Sequence, residues 1–493
     1  MNHERTLAVQ RTERQTVVIG LATGALYAAI YALQRAMSPL QAAGSLRMVG
    51  VLYVAANIGV FLCYAAIVSL ASAGALRDER GRLLAFGFPL LFSVALTLGR
   101  PYLSTDVLTY VSQGHQAISG QSPYAEPPGA IAGTSFGLAL EREGWPGGRD
   151  VSPYGPLWTE LEAAVALATR DIATQVLLLK IVVTAFALGS ALLVWRILGA
   201  LSPRYQVLGT ILYLWNPVVV MELSGEGHNE AVAMFFVLLS LYFWIRGNAD
   251  DGIVGAAIGA LIKIGALVFT PLALVYAWRT RRRGLAVAVV AGSCAAAAIA
   301  AVAYGPLWIG AATFDGIRAH AWPNLMSAST PGIFYEYLTR RLPEPAAARA
   351  VALMIAAGFL AYVAFASIKI RDAASLVRAS GRVSLVYLVL APGYWPWYAA
   401  TPVALLALAP DETAIWSILA VSLGSRLAAP LDVLRVNDVI DWDREMFSAT
   451  IVGVWFPAAT IGVLAARDAW SDWKSRLPTF TFGRNRVRTA SNP

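Results

Sequence analysis

Met48–Ala71 reads MVGVLYVAANIGVFLCYAAIVSLA, a stretch without one charged side chain. It exceeds the ~20 residues that a helix needs to cross ~30 Å of hydrocarbon. A helix is also the form that satisfies its own backbone hydrogen bonds where no water can. Further apolar runs cover 16–33, 83–98, 175–198, 206–223, 230–245, 284–309, 351–368 and 447–466. With the less regular segments between them they predict an all-α polytopic membrane protein of about 12–14 transmembrane helices. The bulk composition agrees. Hydrophobic residues make up 57% of the 493-residue chain and charged residues 14%, whereas a soluble protein carries about 25% charged residues. A cytosolic enzyme, a disulfide scaffold and a disordered chain are excluded.

Lys and Arg number 38 against 30 Asp and Glu, and they sit in short loops between the apolar runs rather than on one stripe. That pattern argues for retention of basic loops on the inner face and against a nucleic-acid partner. Arg77, Arg80 and Arg82, and then Arg279, Arg281, Arg282 and Arg283, mark inner loops. The N-terminus is therefore expected in the cytoplasm, with a retained first helix. The polar segment 100–155 follows on the external face, as an inserted loop carrying short amphipathic helices. Residues 1–476 form one transmembrane domain in this reading, and the arginine-rich 477–493 a disordered cytoplasmic tail. Cys63 and Cys294 lie inside apolar runs and are expected as small buried hydrophobes.

Three segments leave the topology open. Residues 156–169 are short for a span, 252–278 are long, and 383–409 are interrupted by Pro392-Gly393-Tyr394-Trp395-Pro396-Trp397. If the first does not cross and the second folds back at its centre, 225–230 comes to the external face. If both are ordinary spans, it lies inside.

The residues that can carry chemistry cluster near these segments. Ser104 or Thr105 can cap a helix with Asp106 in its first turn and Tyr110 one turn later on the same side. A carboxylate at the membrane exit can deprotonate an incoming hydroxyl; the competing reading is a helix-start Asp that favours the dipole. Glu222, Glu226, His228, Asn229 and Glu230 gather around Gly225 and Gly227, where they line a wet cavity or form a solvated turn. No His-Glu-x-x-His is present, so no metal site is expected. Lys263 stands centrally in an apolar run, at an insertion cost of about 2.5–3.5 kcal/mol. It calls for an anionic partner, a lipid phosphate or one of these acids, unless it snorkels to an interface. Tyr394, Trp395, Trp397 and Tyr398 form an interfacial aromatic belt or offer faces on which sugars stack. The chain has neither a phosphate-cradling loop nor a dinucleotide fingerprint, so the activated substrate of an enzyme built this way lives in the membrane.

The ordered motifs are Ser104-Thr105-Asp106 with Tyr110, Gly114 and Gly120, then Ser122-Pro123-Tyr124 and Tyr154-Gly155-Pro156-Leu157. After them come Trp215-Asn216-Pro217 leading to Gly225-x-Gly227-His228-Asn229-Glu230, and Lys263 with Pro271. This order, over roughly 99–271, resembles the GT-C superfamily of integral-membrane glycosyltransferases that use polyprenyl-phosphate sugars. Within it the chain looks most like bacterial polyprenyl-phosphate-mannose-dependent alpha-mannosyltransferases. One departure is Glu230, where the motif commonly ends in Asp; it bears on sugar identity more than on class.

The resemblance implies transfer of mannose to a cell-envelope glycan or glycolipid at the outer face of the bacterial cytoplasmic membrane. The reaction would be an inverting, metal-independent single displacement without a cofactor, the lipid-linked sugar being a substrate. Asp106 would be the general base, and Lys263 with Arg100 would hold the donor phosphate. Tyr110, Tyr154, Glu222, Glu226, His228, Asn229, Glu230, Tyr394 and Trp397 would contact substrate. The rival reading is a secondary transporter with Lys263 and Glu222 as its coupling site. No second half mirrors the first, and alternating access has no use for a long external segment. A non-catalytic lipid- or glycan-binding scaffold is the third.

Overall fold

The computed structural model describes residues 2–37, 46–76, 78–281, 283–320 and 329–436, with 459, 462, 463, 466 and 467 beyond them. Arg77, Arg282, the tail 477–493 and most of the run 447–466 lie outside the described residues. Among the described residues the regular structure is helical, with no strand. Seven of the helices among the described residues are long and apolar enough to cross a membrane, or eight if one bent pair is a single span. The protein is an all-α, multi-pass membrane protein. Two of these helices leave their apolar surface largely uncovered by protein: in α12 (Leu285–Tyr304) and α15 (Glu344–Ile368) only 6% and 11% of the most apolar windows are buried. Cys294 is on the exposed side of α12 and Cys63 is half-buried, both free. The expectation that both are buried is therefore met only in part by Cys63 and fails for Cys294, whose helix turns most of its surface outward.

Among the described residues the full-length spans are fewer than the apolar runs suggest because several runs are realised as short or broken helices. Three long helices, α1 (Asn2–Met37), α2 (Leu46–Ser72) and α3 (Glu79–Leu98), pack together and lead into the loop 99–105. There α4 (Asp106–Ile118), α5 (Ser135–Arg142) and α6 (Pro156–Ala168) make a helical layer at the end of the bundle. With 13 residues, α6 is too short to cross and packs on α4 instead. Then α7 (Ile172–Leu201) runs to the opposite end, and α8 (Gln206–Leu214) returns.

The return path bends by 55° before a wide helical turn, Val219–Gly225. Pro217 lacks an N–H and interrupts the ladder. The break is satisfied from the side, since Asn216 Nδ2 donates to Tyr64 Oη (3.1 Å) and Ser422 Oγ (2.7 Å) while its Oδ1 accepts from Val218 N (3.0 Å). Irregular backbone at membrane depth is tolerated when protein partners of this kind enclose it.

From the turn after Gly225, α9 (Glu230–Arg246) descends, α10 (Ala249–Ala260) rises beside it, and α11 (Thr270–Arg279) descends again. Arg279 pins its lower end, donating to Ile368 O (2.7 Å) and Ile370 O (2.9 Å). The segment 252–278 thus folds back at its centre, with Lys263 at the tip. The tip docks on the Tyr154-Gly155-Pro156 turn, where Gly155 N donates to Ile262 O (2.9 Å) and Leu157 N to Leu261 O (3.1 Å). A Cβ at Gly155 would stand 2.2 Å from Leu261 O, so only glycine permits the approach. Of the two topologies left open by the sequence, the structure has the fold-back, and 225–230 shares an end of the bundle with 99–155.

Beyond α12 come α13 (Asp315–His320), α14 (Thr330–Thr339), α15 and α16 (Ala373–Leu390). The Pro392–Trp397 break follows α16 at the expected place and returns the chain to the Asp106 end before α17 (Ala400–Leu406) and α18 (Glu412–Val436). The loops carrying Arg80 and Arg82, and Arg279, Arg281 and Arg283, lie at the other end.

Candidate active site

Asp106 opens α4, with Thr105 at the cap position and Ser104 Oγ accepting the Asp106 N–H (3.1 Å). Its carboxylate Oδ2 faces His228 Nδ1 at 3.4 Å, and His228 Nε2 faces Glu222 Oε2 at 3.6 Å. Those spacings are ion-pair contacts rather than tight hydrogen bonds. The other oxygen of Glu222 accepts from Arg426 Nη1, and Arg426 Nη2 donates to Asn57 Oδ1 (3.1 Å). A line of alternating charge therefore runs Asp106, His228, Glu222, Arg426 from the bundle end into its interior. Beside it Lys263 pairs with Glu230. The Lys263 ammonium also lies 4.8 Å above the Tyr398 ring and 5.8 Å from that of Tyr154.

Exposure separates these groups. The side chains of His228, Glu222, Arg426 and Glu230 are between 0% and 5% exposed, whereas Asp106 is 31% and Lys263 28% exposed. One acid and one cation thus remain reachable, close enough for each charge to act on the other.

His228 sits in the turn before α9 and Asp106 at the start of α4, both outside the spans, and their titration follows from the geometry. Burial acts to lower the His228 imidazole, but the Asp106 and Glu222 carboxylates outweigh it and push it up to about 10. Burial likewise acts to raise the Asp106 carboxyl, but His228 and Lys263 hold it below its ordinary value. His228 is then an imidazolium at neutral pH and Asp106 a carboxylate. A cation with a raised folded value contributes stability that is fully present below its ordinary 6.5 and is lost as pH rises through about 10. The gap in thermal unfolding temperature between the natural chain and a His228→Gln variant is therefore expected to narrow by several degrees from pH 6.5 to pH 10. A gap that stays constant across that range would contradict a charged His228.

Aromatic rings close the other side. The His228 ring stacks on Trp397 at 3.7 Å and 17°, and Trp397 on Trp395 at 5.0 Å and 8°. Trp395 is 37% exposed and ends the stack at the surface. An imidazolium against an indole face is a cation–π contact, strongest when desolvated. Tyr154 packs edge-on against Tyr110 (5.4 Å), which in turn meets Trp158 (5.1 Å). Buried polar atoms without a hydrogen-bond partner here include Asn229 Nδ2 and Oδ1 and Glu230 Oε2.

The residues singled out from sequence are therefore divided. Asp106, Lys263, His228, Glu230, Tyr154, Asn229 and Trp397 gather in one region. Arg100 does not join them: its guanidinium is 76% exposed and pairs with Glu143 (3.2 Å), away from Lys263. Tyr110 is fully buried between Tyr154 and Trp158, so it braces the wall rather than facing the opening. Tyr394 is buried behind the site, its hydroxyl 2.5 Å from Ser425 Oγ. Glu222 is sealed between Arg426 and His228, and one oxygen of Glu226 accepts three backbone N–H groups, from Tyr102, Leu103 and Ser104. Sequence reasoning missed Arg426 and Lys180. The latter is 1% exposed and donates to Leu96 O (2.9 Å) and to Gly99 O. Each is a cation inside an apolar helix, the signal that picked out Lys263.

Comparison with known proteins gives this arrangement a family. Alpha-(1->6)-mannopyranosyltransferase B of Corynebacterium glutamicum is 28% identical over 78% of this chain and 67% of its own length. Alpha-(1->6)-mannopyranosyltransferase A of Mycobacterium tuberculosis is 28% identical over 38% of this chain and 35% of its own length. The A protein of C. glutamicum is 26% identical over 36% of each. The chain thus spans about two thirds of the first relative and little more than a third of the others. A family model described as "Alpha-(1->6)-mannopyranosyltransferase, N-terminal domain" matches residues 15–309, from α1 to just past α12. Because that match covers more than half of the chain and takes in the Asp106 loop, the 222–230 turn and the Lys263 tip, the chain belongs to the alpha-(1->6)-mannopyranosyltransferase family so described.

Proposed function

We propose that the chain is a membrane mannosyltransferase that takes mannose from a polyprenyl-phosphate donor and transfers it to a glycan or glycolipid acceptor at the outer face of the cytoplasmic membrane. The observation that carries this reading is the pair of partly open charges, Asp106 and Lys263, in an otherwise sealed ionic network. Membership of the family supports mannose as the sugar. The loops with Arg80, Arg82, Arg279, Arg281 and Arg283 at the opposite end support an external site.

Asp106 accepts the proton of the acceptor hydroxyl as that oxygen bonds to the sugar's anomeric carbon. The bond from that carbon to the phosphate oxygen breaks at the same time, with inversion. The lipid phosphate departs with one more negative charge than it carried, so a cation beside it stabilises the transition state more than the ground state. Lys263 supplies that cation. Glu230 occupies one of its three donors, which leaves others for a phosphate. Tyr154 and Trp395, the exposed end of the stack behind Trp397, offer ring faces to the sugar, and the unpartnered Asn229 amide offers a donor and an acceptor for its hydroxyls.

Incubating the purified chain in liposomes with a panel of polyprenyl-phosphate sugars tests this. Free polyprenyl phosphate should appear with the mannose donor; movement of a solute across the bilayer without release would favour a transporter instead. Removing Lys263 alone would strand Glu230, so the informative variant is Lys263→Met with Glu230→Gln. A charged hydrogen bond is worth ~1.5–3 kcal/mol, so this variant is expected to lower kcat/KM for the donor about 10- to 100-fold, with part of the loss in kcat. An unchanged KM and kcat would remove Lys263 from the donor site.

A further inference from the structure

The loop 99–105 joins α3 to Asp106 without regular secondary structure, yet its backbone meets two buried charges of opposite sign. Lys180, on α7, donates to the carbonyls of Leu96 (2.9 Å) and Gly99, at the C-terminal end of α3 where a cation is favoured. Glu226 Oε2 accepts the consecutive N–H groups of Tyr102 (3.0 Å), Leu103 (3.0 Å) and Ser104 (3.1 Å). Successive amides converging on one anion form a nest, a strong and geometrically demanding arrangement. Lys180 is 1% and Glu226 6% exposed, so both charges are committed to the protein.

The turn that carries Glu226 also carries His228, whose Nδ1 stands 3.4 Å from the Asp106 carboxylate. Gly227 between them has φ +83°, and a Cβ there would come within 3.0 Å of Lys180 Cγ and 3.5 Å of Val107 Cγ2. One turn therefore grips the backbone before Asp106 through Glu226 and the carboxylate itself through His228, while packing on Lys180 and the first turn of α4.

We propose that Glu226 and Lys180 are positioning residues, a two-charge clamp that fixes the loop 99–105 and so aims Asp106 at the acceptor hydroxyl. This rests on the reading of Asp106 as the base. It takes Glu226 out of substrate binding, where the sequence had put it. Holding a loop alone does not call for two ionised groups. A base must be kept within about 0.5 Å of its productive position, and a loop is a poor scaffold for that unless its backbone is tied down.

The test uses the full chain in detergent micelles with Glu226→Ala, Glu226→Gln and Lys180→Met, and reads amide hydrogen exchange over 100–106 beside steady-state kinetics with polyprenyl-phosphate mannose. Glu226→Ala should lose protection at Tyr102, Leu103 and Ser104. Its kcat should fall about 100-fold, as expected for a misplacement near 1 Å, with donor and acceptor KM unchanged. Glu226→Gln keeps an acceptor oxygen and should retain part of both; Lys180→Met should loosen the same peptide. Should Glu226→Ala not fold, the Gln and Met variants carry the comparison. Lost protection with unchanged kcat, or a raised KM at unchanged kcat, would overturn the clamp. An Asp106→Asn variant is run alongside. If it turns over like the natural chain, Asp106 is not the base, and the exchange data still report whether the clamp exists.

Discussion

Asp106→Asn is expected to lower kcat by about 10²–10⁴-fold, the range that a positioned general base contributes, while donor KM and the unfolding temperature stay close to those of the natural chain. The substitution keeps the shape and the first turn of α4 but removes the proton acceptor. It also leaves the His228 imidazolium with Glu222 as its remaining carboxylate contact. Because Asp106 is 31% exposed, the lost pairing with His228 is partly replaced by water, and the effect on folding is small. Steady-state kinetics with polyprenyl-phosphate mannose, together with a melting curve, separates the two quantities. Full turnover by the Asn variant would end the assignment.

The second large effect belongs to the interior. Arg426 and Glu222 are each 2% exposed and bonded to one another. Breaking a buried pair by removing one partner costs about 3–5 kcal/mol, because the other charge is left without compensation. Arg426→Met should destabilise the chain by that amount in chemical unfolding from mixed micelles. It should also disturb the site, since His228 becomes the remaining cation against Glu222. Combining Arg426→Met with Glu222→Gln should recover most of the loss, as the stranded charge is gone. Equal stability of the single and double variants would show that the pair is not what holds α18 to the 219–225 turn.

How much of this was legible in the sequence follows from the range of the interactions. The spans were legible because hydrophobic content and length are local properties; α1, α2, α3, α7, α12 and α15 coincide with apolar runs. The fold-back at Lys263 was visible only as an overlong segment. What fixes it is the docking of Leu261 and Ile262 on Gly155, more than a hundred residues away. Asp106 stood out as a carboxylate at a helix start beside the membrane exit, and 222–230 as too many polar groups between two apolar helices. Their meeting depended on the parity of the intervening crossings, which composition cannot fix. Glu226 and His228 look alike as members of one polar turn, yet one holds backbone and the other a side chain. That difference rests on contacts with residues 102–106. Arg426 and Lys180 were overlooked although each is a buried cation within an apolar helix, and the rule applied to Lys263 applies to both.

The most direct measurement is an experimental structure of the full-length Asp106→Asn chain with polyprenyl-phosphate mannose bound. The account predicts the donor phosphate within ~4 Å of Lys263 Nζ, the distance of an ion pair, and the face of the anomeric carbon opposite the phosphate open toward position 106. A phosphate bound elsewhere, with Lys263 still held by Glu230 alone, would contradict it.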